Sequence, residues 1–160
     1  MKTTHAIFGS LFSFFAISGH AAEAGETDRS FFAAALSRHL KEAGIHLPAA
    51  TDCANASSSF NCRVIGTATG LEVWLEPTQS GELSRVRVTF EGAQAAQMAM
   101  EVCSAAAVVW PTGKSAPKRA FRRPFDQAAR VGNWTGTIAG RQAFVYFDQR
   151  IEAGRCIYGG

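Results

Sequence analysis

Cysteines at 53, 62, 103 and 156 and histidines at 39 and 46 are the groups of this chain best suited to hold a metal, attack an electrophile or move a proton. A metal site announces itself in sequence as ligand pairs such as CxxC or HxxxH. His39, His46, Cys53 and Cys62 follow one another without such a pair, so no metal is assigned. A hydrolytic triad needs a histidine beside an activated nucleophile. Neither histidine belongs to a GxSxG, HExxH or phosphate-loop motif. His39 falls at the margin of a helical apolar stripe and reads as a structural histidine. Glu72 and Glu76 share one face of a predicted strand, but at roughly 3.3 Å per residue they stand about 13 Å apart. That is too far for either glycosidase geometry. No catalytic residue and no cofactor is assigned, and an enzyme is not expected. A small secreted hydrolase stands behind two kinds of binding protein.

The cysteines have a simpler use. An even count behind a secretory leader reads as two disulfides formed in an oxidising compartment. Of three connectivities, Cys53–Cys62 and Cys103–Cys156 are favoured. The first closes a turn-rich loop, TDCANASSSFNC, that has too little apolar content for a core of its own. The second ties a helix to the C-terminal strand.

The leader is read from the first residues, MKTTHAIFGSLFSFFAISGHAAEAGE. Lys2 gives a positive start, 6–17 an apolar run, and Ala21, Ala22 and Ala24 small residues for cleavage. The run is shorter than the roughly 20 residues of a membrane-spanning helix. Residues 1–22 are therefore expected to be a cleavable signal peptide and 23–160 a single domain. The mature chain should be periplasmic or secreted, without a transmembrane segment.

Two surface constellations point to binding. Lys114, Lys118, Arg119, Arg122, Arg123 and Arg130 face only one acid, Asp126, between positions 114 and 130. The whole chain carries a formal charge of only +3, so positive charge is concentrated here. Such a segment suits an anionic ligand or envelope polymer. Nucleic acid is not expected, since no nucleic-acid motif accompanies the charge. The second constellation is Trp74, Arg85, Arg87, Phe144 and Tyr146, which alternation puts opposite the core positions of their strands. Arginine mixed with large aromatics is the composition of protein-binding hot spots.

These residues must be held by a fold. With 160 residues, 47% of them hydrophobic and 18% charged, the chain is expected to form a globular core. A helix capped by Thr27 or Asp28 should run to Gly44, burying Phe32, Leu36, Leu40 and Ala43. Strands follow over 61–67, 71–76 and 84–91, the last two alternating strictly. Arg85 and Arg87 should then face Glu72 and Glu76. The Ala- and Met-rich stretch 93–110 reads as a central buried helix carrying Cys103. Residues 117–131 read as helical, with Pro124 opening a second short helix. A hairpin turning at Gly140-Arg141 and a strand over 155–158 complete the chain.

Gly66-Thr67 and Gly70 recur as Gly136-Thr137 and Gly140, but turn chemistry alone accounts for two such hairpins. The pattern predicts an α+β fold: a mostly antiparallel sheet of five to six strands, two to three helices on one face, and two disulfides. Its expected role is that of an exported binding protein. The partner would be a protein of the envelope or extracellular space, met in an inhibitor or immunity role, or else an anionic ligand.

Overall fold

Alternating apolar stretches become strands in the structure, a computed structural model, and the Ala-rich stretch becomes a helix. Residues 24–46, 62–65, 70–80, 82–110 and 114–160 are described, with 24–28, 30 and 62–65 described by their backbone. The expected signal peptide and the Cys53–Cys62 pair lie outside the described residues.

The chain order is α1 (Ala24–Glu42), β1 (Cys62–Ile65), β2 (Leu71–Pro77), β3 (Leu83–Glu91), α2 (Ala93–Val109), α3 (Arg122–Val131), β4 (Asn133–Ile138), β5 (Arg141–Asp148) and β6 (Ala153–Gly159). The six strands form one sheet in the order β1-β2-β3-β6-β5-β4, antiparallel throughout. Helix α2 lies across β3 and β6, α3 lies on β4 and β5, and α1 packs chiefly on α2. The fold is thus α+β, with the three helices of the described residues on one side of the sheet. Among the described residues no helix is long and apolar enough to cross a membrane.

The core is the layer between sheet and helices. Leu71, Val73 and Leu75 of β2, Val86, Val88 and Phe90 of β3, and Ala143 and Val145 of β5 are buried, as are Cys156 and Tyr158 of β6. From above they meet Phe32, Leu36 and Leu40 of α1, and Ala99, Val102, Cys103 and Ala106 of α2. Small alanines let α2 approach the sheet closely enough for Cys103 to bond Cys156. Tyr158 sits under Trp110 and Phe121, edge to face with both, and donates its hydroxyl hydrogen to the Ile138 carbonyl at 3.2 Å. Ser104, buried within α2, accepts a hydrogen bond from the Phe121 backbone N–H at 3.2 Å. That bond pins the connection between α2 and α3.

Several local expectations are corrected. Helix α1 starts at Ala24, so Thr27 and Asp28 lie inside it rather than capping it. No proline interrupts 24–42, and the helix continues through both positions. Ala43 is exposed in the turn beyond the helix. Residues 114–117 have no regular structure and 118–121 form a turn, and helix α3 begins only at Arg122. Pro124 is its third residue, where a missing N–H costs nothing because first-turn amides have no intrahelical acceptor. The β4–β5 turn is Ala139-Gly140, with φ of 51° and 84°. A two-residue turn with both φ positive matches the twist of the strands it joins.

The repeat spacing extends well beyond the turns. Adding 70 to the four β2–β3 pairs from Val73↔Val88 to Glu76↔Arg85 gives four pairs of the β5–β6 ladder: Val73↔Val88 becomes Ala143↔Tyr158, and Leu75↔Val86 becomes Val145↔Cys156. The central β3–β6 pairing obeys the same rule as a two-fold, since Arg85↔Gly159 maps onto Thr89↔Arg155. Gly70 and Gly140 share φ of 84°. Buried Phe32, Ala33 and Leu36 of α1 correspond to buried Val102, Cys103 and Ala106 of α2. The sheet is built of two like halves, each a three-stranded meander, preceded by α1 in the first and by α2 and α3 in the second; the edge pairing β4–β5 stands two residues out of step with β1–β2. Turn chemistry fixes neither a ladder register nor a helix stripe, so it does not account for this match.

Candidate functional site

Side chains alternate across a sheet, so strands that send valines into the helix layer send a second set to the opposite side. One row across that side reads Trp74, Arg87, Ile157, Phe144 on β2, β3, β6 and β5. The next row reads Glu72, Thr89, Arg155, Tyr146, and a third pairs Glu76 with Arg85. Trp74, Arg85, Arg87, Phe144 and Tyr146 therefore share one face, and the three described helices lie on the other. Trp74 and Phe144 are three strands apart, about 14 Å at the usual strand spacing.

Contacts within the face are electrostatic and aromatic. Glu76 answers two arginines, with Oε2 3.1 Å from Arg85 Nε and Oε1 2.9 Å from Arg87 Nε. The Arg87 contact is off the line its N–H needs, so it is an ion pair rather than a hydrogen bond. The Arg87 guanidinium also lies 5.5 Å from the centre of the Trp74 ring, and Trp74 Nε1 donates to Glu72 Oε2 at 3.4 Å. Arg155 repeats the motif over Phe144, at 5.6 Å. The expected pairing of arginines with glutamates is corrected in register: Arg85 faces Glu76, but Arg87 faces Trp74 and Glu72 faces Thr89. Tyr146 is 41% exposed, whereas Trp74, Arg87, Phe144 and Ile157 are half-buried by one another.

Thr89, Arg155 and Ile157 belong to this face and were not singled out from the sequence. The signal was present in Arg155-Cys156-Ile157-Tyr158, where two core residues alternate with two outward ones. Two shallow cavities flank them. One, of about 360 Å³, is lined by Thr89, Tyr146, Ile151 and Arg155 with the backbone of Ala153 and Gly154. The other, of about 340 Å³, opens between Arg85, Phe144 and Ile157 where Gly159 and Gly160 carry no side chain.

The basic segment sits on the helix-covered side. Phe121, Phe125 and Ala128 are buried, and Phe125 packs against Phe90. Lys114, Lys118, Arg119, Arg122, Arg123 and Arg130 are all exposed, and among the described residues none of the six forms an ion pair. Arg119 alone turns towards α1 and α2, lining a groove of about 550 Å³ with Ile45, Gln97 and Glu101. The two constellations thus occupy opposite sides of the sheet.

Residues with potential chemistry are dispersed. His39 is half-buried on α1 and His46 exposed beyond it. Cys103 and Cys156 are consumed by their disulfide. Glu76 is engaged by the guanidiniums of Arg85 and Arg87. Among the described residues no group of three or more His, Cys, Asp or Glu could hold a metal ion. Comparison of the chain with protein-family models, curated proteins and solved structures finds no match.

Proposed function

We propose that this is an exported binding protein, of inhibitor or immunity type, that recognises a protein partner through the face of its sheet opposite the described helices. The observation that carries the reading is that Trp74, Phe144 and Tyr146 lie among Arg85, Arg87 and Arg155 on that one face. Aromatic rings bury large area at small entropic cost, and arginines supply directional hydrogen bonds around them. A sheet braced by helices and a disulfide presents such groups without having to order them on binding. Export rests on the leader-like N-terminus and agrees with a disulfide, which persists in oxidising compartments such as the periplasm.

Affinity capture from the native envelope, run in parallel with variants, tests the reading. A partner retained by the native protein should be lost on Trp74→Ala or Phe144→Ala and kept on combined Arg119→Ala, Arg122→Ala and Arg123→Ala. The reverse pattern would establish the second reading, capture of an anionic ligand or envelope polymer by the segment 114–130. That reading draws on six exposed cations without an ion pair among the described residues.

A further inference from the structure

We propose that the cavity beside Arg155 receives a carboxylate side chain, Asp or Glu, from the partner protein. The inference rests on the reading of the sheet face as a protein-binding surface and comes from comparing its two halves. Trp74, Glu76 and Arg85 of the first half correspond, 70 residues on, to Phe144, Tyr146 and Arg155 of the second. In the first half the cross-strand partner of Arg85 is Glu76, whose carboxylate answers the guanidinium at 3.1 Å. In the second half the cross-strand partner of Arg155 is Tyr146, which brings no negative charge.

Among the described residues Arg155 has no ion pair, and one side of its guanidinium lies over Phe144. Its N–H edge remains for an acceptor. The chain thus supplies a carboxylate to one arginine and leaves an opening of about 360 Å³ at the other. Hydroxyl-bearing Thr89 and Tyr146 line that opening beside Arg155, and Ile151, 65% exposed, forms an apolar rim. A planar guanidinium held by stacking offers two parallel donors to a carboxylate, and flanking hydroxyls can satisfy its remaining lone pairs.

Amide chemical-shift titration of the ¹⁵N-labelled protein tests this, with N-acetyl-glutamate N-methylamide as probe and its neutral glutamine isostere as control. The acid should move the Thr89, Tyr146, Gly154 and Arg155 amides and bind at least about tenfold more tightly than the amide. Arg155→Gln should abolish the difference. Tyr146→Glu, which copies the first half by giving Arg155 an internal carboxylate, should also abolish it. Equal binding of acid and amide, or shifts confined to 114–130, would overturn the assignment. Partner capture separates it from the reading on which it rests. A partner lost with Trp74→Ala but held undiminished by Arg155→Gln sinks the carboxylate site alone. A partner held by both variants sinks the binding face as well.

Discussion

Arg87 and Ile157 stand directly opposite each other on the two central strands, and the two halves of the sheet are related about that pair. The pair lies midway between Trp74 and Phe144 in the same row, so the aromatic groups of the face are set symmetrically about its centre. Where the halves differ, the difference is one of charge. Arg87 has an isoleucine as its counterpart, and Glu76 has a tyrosine. The first half therefore supplies a carboxylate to its own arginines, whereas the second leaves a cation beside an opening.

Glu76 serves two arginines, so its removal should unbalance one edge of the face. Glu76→Gln should lower stability by no more than about 1 kcal/mol, because Arg85 and Arg87 remain partly solvated. The loss should shrink further in 1 M salt, where charges are screened within about 3 Å. Urea unfolding at low and high salt measures both effects. A salt-independent loss would mean that Glu76 acts through packing instead.

The buried disulfide should contribute more. Cys103 and Cys156 are 53 residues apart and fully buried, between the central helix and a central strand. Loop-closure entropy gives about 4 kcal/mol for that separation, and double substitution to alanine should cost about 2–4 kcal/mol. Because solvent does not reach these sulfurs, dithiothreitol should release few thiols from this pair until urea opens the domain. Thiol counting with and without urea, in a variant with Cys53 and Cys62 replaced by alanine, checks this; rapid release without urea would contradict the burial.

Strand and helix identities were legible in the sequence because period-2 and period-3.6 patterns report which side of an element is buried. The same alternation put Trp74, Arg85, Arg87, Phe144 and Tyr146 outward. It does not say which residues of neighbouring strands stand opposite, so the Arg87–Trp74 pairing and the place of Arg155 beside Tyr146 required the ladder register. The β3–β6 pairing that joins the two halves into one face depends on contacts between residues some 70 positions apart, to which a local pattern is blind. Pro124 misled for a related reason: proline is tolerated throughout the first turn of a helix, so it marks a helix start only to within a few residues.

Gly154 should tolerate no side chain. A Cβ there would collide with the Tyr146 carbonyl oxygen and lie 2.6 Å from Phe90 Cζ. Both neighbours are fixed, one in the ladder and the other between Phe125 and Phe147. Gly154→Ala should cost at least about 2 kcal/mol, read as a lowered thermal midpoint. An unchanged midpoint would show that β6 can shift away from β5 without penalty.

Tyr158 should make stability depend on alkaline pH. Burial beneath Trp110 and Phe121 raises its pKa above the ordinary 10.0, and the nearby Arg141, which favours the phenolate, offsets this in part. The folded protein therefore holds the phenolic proton at pH values where the unfolded chain has released it. This contribution is complete below about pH 10 and falls away as pH rises through the folded-state pKa. Tyr158→Phe keeps the ring contacts but removes the hydrogen bond to the Ile138 carbonyl, at a cost of about 1 kcal/mol near neutral pH. It also removes the titrating group. Urea unfolding between pH 8 and about 11 should accordingly show the native protein losing stability faster than the variant, so that the gap between them closes. Parallel curves for the two proteins would place the alkaline sensitivity elsewhere.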